Sequence, residues 1–105
     1  MSDISDLTIQ HDSAQGIFYY ELKTGVAYLK YAPMPGKVLE YRETFVPEVS
    51  RHSGIASRLV RYALDYARDS GYSVVPTCPF VSDFIEKNQE YSAILHPDNN
   101  VRTEY

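Results

Sequence analysis

The sequence has no tryptophan and a single cysteine, Cys78. One thiol excludes an intramolecular disulfide, and with it the disulfide framework of many small secreted domains. The three histidines, His11, His52 and His96, lie far apart in different predicted elements, with no zinc-ligand spacing among them or to Cys78. No metal is expected. Long apolar runs are missing as well, because Asp, Glu, Lys or Arg interrupts every stretch that approaches a membrane span. Met1-Ser2-Asp3-Ile4-Ser5-Asp6 has neither the basic region nor the apolar core of a signal peptide, so a cytoplasmic protein is the expectation. A basic excess is also absent. The formal net charge of −4 argues against a nucleic-acid partner, which a basic surface would serve. It mildly favours a cationic partner, although charge of this size also serves solubility.

What is present is ordinary for one globular domain spanning residues 1–105, at 44% hydrophobic and 23% charged residues. The ten tyrosines are the exception. Tyr19, Tyr20, Tyr28, Tyr31 and Tyr41 fall in strand-like runs, where tyrosine packs well and leaves its hydroxyl at a sheet rim.

Alternation of apolar and polar residues predicts a strand over 7–11, then a turn at Asp12-Ser13-Ala14-Gln15-Gly16. A second strand runs over 17–22 with Phe18, Tyr20 and Leu22 on one face. Lys23-Thr24-Gly25 is a hairpin connection, and a third strand over 26–32 is ended by Pro33-Met34-Pro35-Gly36. The fourth strand covers 38–46 and closes at Pro47. After Arg51 the period changes. Ile55, Leu59, Val60, Ala63, Tyr66 and Ala67 recur at helical spacing, with Ser53 as the expected N-cap and Gly71 just past the end. A short fifth strand over 72–75 comes next, parallel to the fourth by an economical crossover. Pro79 opens a second helix carrying Phe80, Phe84 and Ile85, and the tail from His96 onward is expected to fray. The fold class is therefore α+β, in the order β-β-β-β-α-β-α, with one parallel pair in an antiparallel meander.

Everything gathers around residues 38–80. A parallel pair within an antiparallel sheet splays where its strands part. The cleft would have Arg51-His52-Ser53-Gly54-Ile55-Ala56 on one side and Cys78 on the other. The turn offers free N–H groups at a helix start, which favour a phosphate, but a glycine near a helix start is common. Cys78 reads either as a small buried hydrophobe or as a thiol at a helix start, held stiff by Pro76 and Pro79. Glu40 and Glu43 read either as solvent-facing strand carboxylates or as a general base.

Thr44-Phe45-Val46-Pro47, succeeded closely by Arg51-His52-Ser53-Gly54-Ile55-Ala56, resembles the strand and loop of GCN5-related N-acetyltransferases, whose loop reads [Q/R]-x-x-G-x-[G/A]. Val75-Pro76-Thr77-Cys78-Pro79-Phe80, with Glu90-Tyr91 beyond, is similar to the smallest single-domain members. The resemblance covers residues 7–95. It implies acetyl-CoA as co-substrate, with Val46 offering backbone groups to the pantetheine arm and Arg51, His52, Ser53, Gly54, Ile55 and Ala56 wrapping the pyrophosphate. Cys78 would lie near the thioester, and a base would take the ammonium proton during direct attack by an amine; Glu43, read from its own chemistry, could be that base. Two positions depart from the pattern. His52 stands where the family commonly has glycine, and Glu43 where it often has histidine. The alternative is a CoA-binding module with little or no catalysis. The amine acceptor, whether protein lysine, polyamine or small metabolite, and the oligomeric state are not readable from the residues.

Overall fold

The computed structural model describes residues 9–97. Five strands form one sheet in the order β1-β2-β3-β4-β5: β1 is Gln10–Asp12, β2 Ile17–Leu22, β3 Gly25–Met34, β4 Val38–Phe45 and β5 Ser73–Pro76. The first four pair antiparallel and β4–β5 parallel. Helix α1, Ile55–Asp69, connects β4 to β5, and helix α2, Pro79–Lys87, comes after β5. Two 3-10 turns, Glu48–Ser50 and Gln89–Ile94, have no counterpart among the elements expected from the sequence.

The alternation of β2 and β3 decides where the core sits. Phe18, Tyr20, Ala27, Leu29 and Tyr31 are buried on one face, and Leu39 and Tyr41 of β4 join them. Against this face α1 sets Ile55, Leu59, Val60, Ala63, Leu64 and Ala67, all buried. Full burial of such an aliphatic side chain stabilises by about 1.5–3 kcal/mol. The Tyr41 hydroxyl donates to the Ala63 carbonyl, so the largest ring of β4 is also hydrogen-bonded to α1. Helix α2 contributes Val81, Phe84 and Ile85 to the same cluster. The turn after it is clamped to α1 by Arg61, which donates to Asn88 (3.2 Å) and to Tyr91 (3.2 Å), and by Tyr91, which donates to Asp65 (2.6 Å). The opposite face carries Tyr19, Glu21, Val26, Tyr28, Lys30 and Glu43, all half-buried or exposed.

Several boundaries differ from expectation; the fourth strand ends at Phe45 and the fifth runs over Ser73–Pro76, each a one-residue change. The first strand begins at Gln10 and takes in Asp12, while Leu7 and Thr8 lie outside the described residues. The third strand runs through Pro33 to Met34, because past Lys30 it has no ladder partner in β2 and a missing N–H at Pro33 costs no bond. Ser53 does not cap α1: its hydroxyl turns back to the Ser50 carbonyl (2.5 Å), and Gly54 takes the cap position. The tail is held through His96, whose N–H donates to the Val74 carbonyl (2.9 Å) as Leu95 bridges to Val74. Residues 98–105 lie outside the described residues.

One irregularity controls the region of interest. Tyr31 pairs with Tyr41 and Lys30 with Glu43, so Arg42 is an extra residue in β4. Such a bulge bends its strand and reverses the facing of the residues beyond it. Gly16 makes room beside it: a Cβ there would meet the Tyr31 carbonyl oxygen at 2.5 Å.

Candidate functional site

Strands β4 and β5 stay in register from Val38↔Ser73 to Tyr41↔Pro76 and then part. One further bond, Cys78 N–H to the Tyr41 carbonyl (2.9 Å), carries the contact past the last ladder pair. Beyond it β4 continues through the bulge to Phe45, while the chain after β5 turns into α2 with Cys78 at its N-cap. The splay expected from one parallel pair is present, and the bulge at Arg42 lies at the point where it begins.

On the β4 side, Val46 is buried and its carbonyl accepts from Arg51 Nε (2.9 Å). The Arg51 guanidinium also lies 5.9 Å from the centre of the exposed Phe45 ring. Arg51 therefore folds the loop back onto the end of β4 with its side chain. Thr24 and Ser50 share a hydroxyl hydrogen bond (3.0 Å) that ties the β2–β3 hairpin to the loop. His52 and Ser53 are exposed, Ile55 is buried in the core and Ala56 is half-buried. Gly54 sits at φ +83°, which a side chain adopts only with strain. The first helical bond of α1 runs from the Arg58 N–H to the Gly54 carbonyl, and no side chain caps the helix. The N–H groups of Ile55, Ala56 and Ser57 thus precede the helical ladder at the positive end of the helix dipole. Val46 and residues 51–56 thus lie along the connection that runs from the end of β4 into the start of α1.

On the β5 side, Cys78 is 5% exposed and its thiol donates to the Thr44 hydroxyl (3.5 Å). Thr44 is the register partner of Leu29, which places it on the covered face. Glu43 points the other way. Its carboxylate accepts from the Tyr28 hydroxyl (3.1 Å), and Tyr28 stacks on Phe45 with ring centres 5.4 Å apart. Burial first, and then the bond and charge of Glu43, raise the Tyr28 phenol above its ordinary value, so it stays a donor to the carboxylate. Cys78 and Glu43 therefore lie on opposite faces of β4, at the same end of the splay. Glu40 is tied to the connection after β5: Thr77 donates to it at 2.6 Å and Arg42 Nε approaches it at 3.9 Å.

Three partnerships carry no signal in the sequence. Thr44 against Cys78, Tyr28 against Glu43 and Thr77 against Glu40 each join residues from different strands or connections, and only the register brings them together. The bulge that turns Glu43 away from the thiol has no sequence signature either. Among the described residues, no group of three or more His, Cys, Asp or Glu side chains is placed to hold a metal ion. No helix there is long and apolar enough to cross a membrane.

A sequence profile described as GCN5-related N-acetyl-transferase matches residues 17–94. The chain is 30% identical over 100 residues to Protein NATD1 of Danio rerio, an alignment covering 90% of this chain and 91% of that one. Its fold is similar to the solution NMR structure of a GCN5-like putative N-acetyltransferase from Staphylococcus aureus, with a TM-score of 0.69 at 19% identity. That superposition covers 88% of this chain and 90% of the other.

Proposed function

The chain belongs to the GCN5-related N-acetyltransferase family, and from that premise we propose that it transfers an acetyl group from acetyl-CoA to an amine in the splay between β4 and β5. The observation that carries this reading is the uncapped start of α1, joined by the Arg51-bearing loop to the end of β4, whose side facing β5 is unpaired past Tyr41. In the proposed complex the N–H groups at 54–57 take the pyrophosphate, as a helix N-terminus suits an anion. The end of β4 at Val46 guides the pantetheine arm, and the thioester reaches the gap beside Cys78. Ser53 and His52 lie at the loop surface, where His52 keeps an ordinary backbone conformation because only Gly54 in this turn has a positive φ.

The chemistry is direct transfer. The neutral amine attacks the acetyl carbonyl carbon, a C–N bond forms, and the C–S bond breaks with its electron pair leaving on sulfur. Glu43 takes the proton shed by the ammonium group, and a proton delivered to the CoA thiolate completes the exchange. Cys78 places or protonates that sulfur and is not itself acetylated. Its burial and its bond to Thr44 support a positioning role over an exposed nucleophile.

Calorimetry with acetyl-CoA, then single-turnover release of free CoA against a panel of amines, tests the proposal. Binding with amine-dependent release is expected. Binding without release would make the chain a CoA-binding module, and no binding would sink both readings. Mass spectrometry after incubation with acetyl-CoA addresses the thiol: a stoichiometric acetyl adduct on Cys78 would refute direct transfer.

A further inference from the structure

The open face of the sheet carries a cleft of about 570 Å³ at the bulge, walled by Gln15, Lys30, Glu40, Arg42, Glu43 and Thr77. Thr77 directly precedes Cys78, so the cleft opens onto the point where β4 and β5 part, from the side opposite α1. Its walls bear charges of both signs, two carboxylates and two cations. These are unevenly satisfied. Glu40 is engaged by Thr77 and Arg42. Glu43 accepts from the neutral Tyr28 phenol. Lys30 lies 5.4 Å from the centre of the Tyr28 ring and forms no ion pair among the described residues. Lys30 and Glu43 are register partners, close enough for a direct pair, yet the two charges do not meet.

We infer that the acceptor bound here is a small zwitterion, an amine that carries its own carboxylate, such as a free amino acid. The ammonium group meets Glu43 and the carboxylate meets Lys30, each supplying the counter-charge that the protein leaves out. A polyamine would bring a second ammonium against Lys30 and Arg42, and like charges brought together discriminate against such a ligand. A lysine side chain within a polypeptide has no carboxylate to offer Lys30. The identification of the cleft as the acceptor side rests on acetyl-CoA binding at the splay; its charge pattern does not.

The test combines amide chemical-shift mapping on the nitrogen-15-labelled chain with acceptor-dependent CoA release. The probes are a set of free amino acids, spermidine, and lysine blocked at both its α-amino and carboxyl groups. Free amino acids are expected to shift Gly16, Lys30, Arg42 and Glu43, and to exceed spermidine and blocked lysine in release by about tenfold or more, the worth of one favourable charge contact. Lys30→Glu, at an exposed position, should move the preference toward spermidine by about the same factor while keeping the native pattern of shifts. Stronger shifts at these residues from spermidine or blocked lysine would overturn the proposal, as would amino acids leaving them unmoved. If calorimetry shows no acetyl-CoA binding, the acetyl-CoA reading falls, and the shifts still decide which class of amine the cleft takes.

Discussion

The two faces of the sheet divide the protein's work. The covered face is a packed aromatic and aliphatic layer in which Phe18, Leu29 and Tyr41 have no exposed surface. The other face presents Tyr28, Lys30 and Glu43 to solvent from the same strands, one residue out of step. On the covered face a side chain matters through volume and the space it leaves; on the open face it matters through charge and position. Alternation along β3 separates stability from chemistry at every second residue. The bulge at Arg42 is where this separation is adjusted, since it sets Glu43 and Thr44 on faces opposite to those an unbroken alternation from Tyr41 would give them.

Perturbing one face at a time sharpens the contrast. Glu43→Gln should lower kcat by about 10²–10⁴-fold, the usual worth of a positioned base. The same variant should leave the denaturation midpoint nearly unchanged, within about 0.5 kcal/mol. An equal loss of stability in urea titrations would mean that the open face is also structural. Leu59→Ala, on the covered side of α1, should do the reverse. It is fully buried and its truncation should cost about 2–5 kcal/mol, read from urea denaturation, with the choice among amines unaltered in the fraction that remains folded. Gly54→Ala joins the two effects at the loop. With φ at +83° and open space around it, the new methyl group clashes with nothing and strains only the backbone, by about 1–2 kcal/mol. If the loop relaxes away from this conformation, calorimetry will show weaker acetyl-CoA binding; unchanged affinity would place the anion elsewhere.

The smallest effect concerns His11, on the covered face beside Phe18, with ring centres 4.3 Å apart, and 2.5 Å from the Tyr31 hydroxyl. Burial lowers its pKa and the nearby Asp12 charge opposes the shift only in part. The folded state therefore favours the neutral ring. Its contribution is present above about pH 6.5 and is lost as pH falls through the lowered folded value. Melting temperatures measured from pH 8 to pH 5 should fall less for His11→Phe than for the parent chain; parallel curves would remove His11 from the account.

The same division explains how much of the molecule could be read from its residues. Periodicity found the five strands and both helices because it reports burial on one face, and the covered face is nearly uniform. It placed the end of the third strand too early, since Pro33 is punctuation in a sequence but harmless on a strand with a free side. The loop was legible because Gly54 marks a backbone conformation. Its cap was misassigned, because Ser53 found a nearer carbonyl at Ser50. The open face was the least legible part. Glu40 and Thr77 are 37 residues apart and meet only because two parallel strands hold them in register. The offset that turns Glu43 away from Cys78 depends on one inserted residue that resembles its neighbours.

The pairing of Leu95 and His96 with Val74 has a consequence for behaviour in concentrated solution. A sheet ending in a bare parallel strand exposes a row of donors and acceptors that another chain can extend. Here the strand after the crossover is flanked by the protein's own later residues, and among the described residues the outermost strand at the far edge is Gln10–Asp12, three residues ending in a carboxylate. Among the described residues both borders of the sheet are thus poor templates for strand addition, which works against growth edge to edge into aggregates.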